Sequence, residues 1–252
     1  MIEVLILSVV QGVTEFLPIS SSSHLILTTK FLDFKNSNLA IDISLHIGSF
    51  FAVLIYFYKD IFNFFKNKEL FLKILVASLP VMFVGFFLVE TELIDSLRNM
   101  KVIGWTTLTF GILLFFSDNF KLHKKIDTNF SFKSAIIIGI CQIFSLIPGV
   151  SRSGITITAA RFLNFDRFDS AKISFLLSIP TLGAVSIYGI KNLVISEDIN
   201  FSILNIFCIL LSFLFSFITI KFFLQYIKTF SLKIFVAYRI ILGIIILILA
   251  YL

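Results

Sequence analysis

A carboxylate, an imidazole and a guanidinium occur where an apolar sequence should carry no ionisable group. Glu15, His24 and Arg152 each lie within nine residues of a polar, turn-forming cluster that interrupts an apolar stretch. The first cluster reads Pro18-Ile19-Ser20-Ser21-Ser22-Ser23, the second Pro148-Gly149-Val150-Ser151-Arg152-Ser153-Gly154. Proline removes a backbone donor and serine offers competing local hydrogen bonds, so a helix is expected to stop at each cluster. New helices then begin near Ser21 and near Ser151, and their first N–H groups, lacking intrahelical partners, form the positive end of the helix dipole. Two such ends are joined by the hydroxyls of Ser20, Ser21, Ser22, Ser23, Ser151, Ser153 and Thr156 and by the fixed cation Arg152. Brought together, they make an anion trap suited to a phosphate or diphosphate. Gln11 and Glu15 are four residues apart and share a helix face ahead of the first break. A carboxylate beside an anion site is unfavourable unless it holds a cation or moves a proton. Glu15 therefore reads as a metal ligand or an acid–base group.

The elements that position these groups must lie in a membrane. Of 252 residues, 58% are hydrophobic, 14% are charged and 33 are Phe, with a mean hydropathy of +1.02. Soluble domains run about 45–50% apolar and about 25% charged. The expected class is an all-α polytopic membrane protein, one integral-membrane domain over residues 1–252. Six apolar stretches, 42–58, 70–89, 102–117, 173–190, 201–220 and 232–252, are long enough to cross. The interrupted regions, 2–31 and 134–163, break into arms too short to cross about 30 Å of hydrocarbon.

Lys and Arg assign the second interrupted region. If it is re-entrant, the loops 59–73, 119–133, 161–172 and 221–233 share a side and hold 14 basic residues against 5 opposite; if it crosses, the sides hold 9 and 10. The positive-inside bias favours the hairpin. The first region is assigned by a repeat of offset 130, which maps Pro18, Ser21, Ser23, Ile43 and Ser44 onto Pro148, Ser151, Ser153, Ile173 and Ser174. Repeat one covers about 1–118 and repeat two about 131–252. Three spans separate the units, so the second copy is inverted and the two hairpins dip in from opposite faces. The expected architecture is six transmembrane helices plus two re-entrant helical hairpins in an inverted-topology repeat.

Other polar groups carry blander readings. His46 lies mid-span and reads as a packing histidine, while Arg239, about seven residues into the last span, reads as a cation that snorkels or caps its neighbours. His123 sits in a basic loop and carries no signal. Arg152 resists such an account, because it occupies a Gly-flanked turn between hydroxyls with no acid near it in sequence. Cys141 and Cys208 lie in apolar stretches and indicate neither a disulfide framework nor a metal-thiolate site. The first ten residues have no basic n-region, so no cleavable signal is expected. The net charge of +6 comes from Lys-rich loops and sets orientation; nucleic acid is not an expected partner.

The two motifs resemble those of the bacterial undecaprenyl-diphosphate phosphatases linked to bacitracin resistance. The segment from Gln11 through Glu15 to Ser23 and His24 is similar to that family's Glu/Gln-x-x-x-Glu segment and the Ser and His that follow. The segment Pro148-Gly149-Val150-Ser151-Arg152-Ser153-Gly154-Ile155-Thr156 is similar to its Pro-Gly-x-Ser-Arg-Ser-x-x-Thr motif. Gln11 takes the variant first position, where other members carry Glu. The resemblance implies a multi-pass hydrolase of the bacterial plasma membrane, with a site open to the outer face. It would convert undecaprenyl diphosphate to undecaprenyl phosphate and inorganic phosphate, recycling the lipid carrier for cell-wall (peptidoglycan) synthesis.

It further implies catalytic roles for Glu15, His24, Ser21 and Arg152, and phosphate contacts from Ser151, Ser153 and Thr156, to which the anion trap adds Ser20 and Ser22. A divalent cation, Mg or Ca, is expected on Glu15 with Gln11. The expected partners are the lipid substrate, membrane lipids and, in a homodimer, a second copy of the chain. Two chemistries stay open: attack by Ser21 with His24 as base, or His24 activating water or attacking directly. The rival function is a secondary transporter or flippase for a phosphorylated lipid or solute, since inverted repeats and midplane charges serve transport as well.

Overall fold

Helices end where the sequence supplies a break or a cap. The protein is described here from a computed structural model covering residues 2–32, 34, 39–64, 67–91, 96–120, 124–195 and 203–252, with the side chains of 192–195 not described. His123 and the first two residues of the stretch 201–220 lie outside these residues. Among those described, six helices are long and apolar enough to cross a membrane. They are Leu39–Tyr56 (α3), Lys68–Glu90 (α5), Met100–Asp118 (α6), Arg167–Ile195 (α10), Ile203–Thr229 (α11) and Lys233–Tyr251 (α12).

Each covers one of the six apolar stretches, and the ends reach further where side chains cap them. Asn67 and Asn99 accept the N–H groups of Leu70 and Val102, both at 3.0 Å, at the starts of α5 and α6. Asp166 accepts the Asp169 N–H at 2.8 Å and starts α10 six residues ahead of its apolar stretch. Short helices Tyr58–Phe64 (α4) and Ile126–Asn129 (α7) complete the connections.

The interrupted regions form two pairs of short helices: Ile2–Thr14 (α1) with Ser21–Phe31 (α2), and Phe132–Gln142 (α8) with Arg152–Phe162 (α9). A 3₁₀ turn, Ile143–Leu146, extends α8. These helices have 13, 11, 11 and 11 residues. At about 1.5 Å per residue none spans about 30 Å. Both second arms start from a serine at positive φ, Ser20 at 73° and Ser151 at 71°. A non-glycine residue held there costs on the order of 1–3 kcal/mol, so the same strained device opens both helices.

The two break-point serines sit one residue out of step with the repeat of offset 130. Ser20 and Ser151 are 131 apart, whereas Pro18 and Pro148 are 130 apart. Between proline and cap the second break holds one residue more, which includes Gly149 at φ +95°. A Cβ at Gly149 would collide with Thr106 Oγ1 and lie 2.7 Å from the Ile103 carbonyl oxygen. Gly149→Ala is therefore expected to cost about 2–4 kcal/mol, read as a lowered thermal unfolding midpoint of the purified protein in detergent.

Small residues let the spans approach. A Cβ on Gly48 of α3 would lie 2.8 Å from Ser212 Cβ of α11. Across that seam the Ser49 hydroxyl meets those of Ser212 (3.2 Å) and Ser216 (2.9 Å). The most enclosed span is α10, 61% buried over its apolar window, against 22% for α5 and α12, which therefore turn most of their surface to lipid. Phe175 of α10 anchors an aromatic core, with ring centroids 5.3 Å from Phe16, 6.3 Å from Phe57 and 5.8 Å from Phe223. Phe16 adjoins Glu15, so this core fixes the segment that carries the carboxylate.

Candidate active site

The two breaks meet. Arg152, the first residue of α9, donates from Nη2 to Glu15 Oε1 at 2.7 Å. The other Glu15 oxygen accepts Ser21 Oγ at 2.6 Å and Gln11 Nε2 at 3.1 Å. Ser153 Oγ donates to the Leu17 carbonyl at 2.7 Å and ties the backbones of the two breaks together. Residues 137 positions apart in sequence thus form one buried cluster, in which Glu15 is 7% exposed. An ion pair at this depth persists because each charge is matched by its partner and by further hydrogen bonds.

The last helix locks this arrangement. Arg239 is fully buried and has backbone carbonyls as its partners. Its Nη1 donates to Pro18 O (3.1 Å) and Val150 O (3.0 Å), Nη2 to Gly149 O (2.8 Å) and Nε to Thr107 O (3.2 Å). Of its two sequence readings, snorkelling and capping, the second describes it: the side chain caps carbonyls of both breaks and of α6 and clamps them together. The carbonyls of Pro18, Gly149 and Val150 belong to the breaks, where backbone acceptors lack helical donors, and that of Thr107 belongs to α6.

A cavity of about 200 Å³ opens onto the cluster. Glu15, Ser20, Ser21, Ser22, Ser151 and Arg152 line it, so the first turns of α2 and α9 border one space. Arg152 Nη1 is buried and has no hydrogen-bond partner. The guanidinium therefore holds Glu15 with one nitrogen and keeps another donor unused.

The remaining predicted residues have other placements. Ser153 is engaged as described, and Thr156 Oγ1 donates to Arg152 O (2.8 Å) and Ser174 Oγ (2.7 Å); both are buried and neither lines the cavity. His24 is held between the Ser20 carbonyl (Nδ1, 2.6 Å) and the Tyr238 hydroxyl (Nε2, 2.5 Å), beside the cavity and not among its lining. Its ring stacks on Tyr238 with centroids 5.7 Å apart.

Four polar lining residues were missed in the sequence: His46, Gln142, Ser145 and Thr181. His46 borders the cavity with Nδ1 fixed on Asp42 O at 2.8 Å, a satisfied histidine on a span that also faces this space. Gln142 is fully buried with both amide atoms unpartnered. No signal in the sequence marks it: at the offset of 130 that Pro18 and Pro148 share, Gln142 is equivalent to Gly12.

Among the described residues no three His, Cys, Asp or Glu side chains are grouped to hold a metal. The oxygen donors at the site are the Glu15 carboxylate, the unpartnered Gln11 Oε1 and Gln142 Oε1, and serine hydroxyls. Such a hard, incomplete set fits a cation that retains waters and takes substrate phosphate oxygens, as Mg²⁺ does, better than a closed protein cage.

Six spans and two pairs of short helices, with a buried Glu–Arg pair and an unpartnered guanidinium nitrogen of a residue that lines a hydroxyl-bearing cavity, define a multi-pass membrane protein with a polar cavity at its helix breaks. The family model of bacitracin resistance protein BacA matches residues 4–245, and the chain belongs to that family. It is 48% identical to the undecaprenyl-diphosphatase of Pelagibacter ubique over 99% of this chain and 98% of that one. Identity to the undecaprenyl-diphosphatase of Jannaschia sp. is 38%, over 98% and 97% of the two chains. To that of Chromohalobacter salexigens it is 39%, over 98% of each.

Proposed function

We propose that the chain is an undecaprenyl-diphosphate phosphatase, releasing the terminal phosphate of the lipid diphosphate and returning the monophosphate to carrier duty. Its relatives carry that name over nearly their full length. The observation that carries the chemistry is the unpartnered Arg152 Nη1 beside the Ser21–Glu15 hydrogen bond. The terminal phosphoryl group docks against Arg152 and the first turns of α2 and α9, whose N–H groups stabilise charge on its oxygens. Ser21 Oγ attacks phosphorus and its proton passes to Glu15. The bond to the bridging oxygen breaks, and the lipid monophosphate leaves with that oxygen. Water then displaces the phosphoryl group from Ser21, giving inorganic phosphate and restoring the hydroxyl proton. The Ser21–Glu15 distance of 2.6 Å supports Glu15 as the proton acceptor, with His24 oriented by Tyr238 behind the Ser20 turn. A divalent cation, held by Glu15 with Gln11 or Gln142, would supply further neutralisation of phosphate charge.

The prenyl tail remains among Phe-rich helices in the bilayer. Both short-helix pairs are read as re-entrant, with the site open to the outer face of the plasma membrane and the Lys-rich loops inside. Purified protein in detergent, given undecaprenyl diphosphate and Mg²⁺, is expected to release phosphate. Ser21→Ala should lower kcat by about 10²–10⁴-fold, and His24→Ala should be milder. Substrate binding without phosphate release would contradict the reading, and unchanged kcat in both variants would remove the assigned nucleophile and its support.

A further inference from the structure

Helix α9 carries Arg152 into the catalytic cavity at its first turn and Arg161 into a second cavity at its last. Nine residues at about 1.5 Å each put the two arginines about 14 Å apart along the helix. The second cavity measures about 720 Å³ and shares none of the catalytic lining. It is framed by the ends of α6, α9 and α11, the starts of α10 and α12, and Lys125 ahead of α7, all in loop regions that hold most of the chain's Lys and Arg.

Its lining is cationic beyond what the fold neutralises. Lys125, Arg161, Arg167, Lys228 and Lys233 face it, against the carboxylates Asp118 and Asp166. Both carboxylates are already engaged. Asp118 accepts Arg167 Nε at 2.6 Å, Arg167 Nη2 at 3.1 Å and the Leu232 N–H at 3.0 Å. Asp166 pairs with Lys125 and caps α10. Its hydrogen bond and charge hold the Lys125 ammonium above the ordinary lysine range, so that group stays protonated.

Arg161 is only 4% exposed. It donates to the carbonyls of Phe165 (2.8 Å), Phe120 (2.6 Å) and Asp118 (3.1 Å). Its buried Nε has no hydrogen-bond partner, the nearest acid oxygen being Asp118 Oδ1 at 3.8 Å. Lys228 lies 4.8 Å over the Phe168 ring. Among the described residues neither Lys228 nor Lys233 has an ion pair. Setting membrane orientation requires loop lysines only; it does not require a buried guanidinium or a walled cavity.

We propose that this pocket is a second anion site, which binds a phosphate group carried by a lipid or free in solution. Lys228 and Lys233 supply the attracting charge, Arg161 and Arg167 a rigid base, and Phe120, Phe168 and Ile227 the apolar flank on which glycerol or acyl carbons can lie. Basic pockets at helix ends hold anionic headgroups for these reasons. The site does not depend on the phosphatase reading, since no group assigned to hydrolysis lines it.

The test uses the full-length protein carrying Arg152→Met together with Glu15→Gln, which silences the catalytic cavity as an anion site without leaving a buried charge unpaired, in zwitterionic detergent, with its thermal midpoint as the folding control. Inorganic phosphate and dioctanoyl phosphatidic acid are titrated separately by thermophoresis, with dioctanoyl phosphatidylcholine as control. Saturable binding of phosphatidic acid alone identifies a lipid headgroup; binding of both probes shows that the phosphate group suffices. In either case Lys228→Gln with Lys233→Gln is expected to weaken binding about thirtyfold. The same pair of substitutions in the Arg152 protein should leave phosphate release from undecaprenyl diphosphate unchanged, which establishes that the variant is folded. Absence of saturable binding by either probe, or equal affinity in the lysine variant, overturns the proposal.

Discussion

Arg152→Lys is expected to lower kcat/KM for undecaprenyl diphosphate by about 10²–10³-fold, although the charge is retained. The guanidinium does two things at once: Nη2 holds Glu15 at 2.7 Å and Nη1 is left as a buried donor beside the cavity. An ammonium at the end of a flexible stem can pair with Glu15 or reach a phosphoryl oxygen, and its geometry does not enforce both. The preceding cap, Ser151 Oγ accepting the Gly154 N–H at 3.1 Å, does not involve the side chain at 152, so the helix start should survive. Steady-state phosphate release checks this, with the thermal midpoint as a folding control. Near-normal kcat/KM in the lysine variant would mean that a point charge suffices and that no planar contact is made.

Glu15→Gln should be as severe, about 10²–10⁴-fold in kcat, and should also destabilise the protein. The carboxylate accepts from Arg152, Ser21 and Gln11. An amide of the same shape keeps one acceptor oxygen and presents an NH₂ group where Arg152, Ser21 or Gln11 also donates. Arg152 is then a buried cation without a counter-charge, the kind of truncated pair that costs about 3–5 kcal/mol. The variant is expected to melt earlier in detergent. Replacing Arg152 by Met in the Glu15→Gln protein should recover part of that stability without recovering turnover. If Glu15→Gln hydrolyses substrate at the normal rate, the carboxylate is structural and the proton acceptor lies elsewhere.

How much of this was legible in the sequence differed by feature. The six spans were, because each is a run of apolar residues closed by charge, and their ends differ from the expected ones by at most nine residues, at the end of α11. The breaks were legible too, since Pro18 and Pro148 with their serines admit few other structures. The approach of Glu15 and Arg152 followed from their positions at two breaks whose new helix starts share one pocket; that they form an ion pair did not, since Glu15 read as a metal ligand or acid–base group.

Other features depended on three-dimensional placement. His46 lies in a helix of unremarkable pattern, and only the orientation of α3 turns it to the cavity. Arg239 looked like a residue near a membrane edge because its acceptors are carbonyls, which every residue has and no sequence motif marks. Gln142 lies in an apolar arm where neither the repeat of offset 130 nor a charge marks it. Ser153 and Thr156 matched a phosphate-contacting pattern, yet their hydroxyls bond Leu17 O and Ser174 and stabilise the junction on which Arg152 stands.

The account rests on one space between α2 and α9 receiving the diphosphate. A structure determined by cryo-electron microscopy with a non-hydrolysable prenyl methylenediphosphonate tests this most directly. The terminal phosphonate is predicted within hydrogen-bond distance of Arg152 Nη1 and the first turn of α2, with its phosphorus facing Ser21 Oγ. A headgroup seated away from both helix starts, with the Arg152–Glu15 pair closed and untouched, would contradict it.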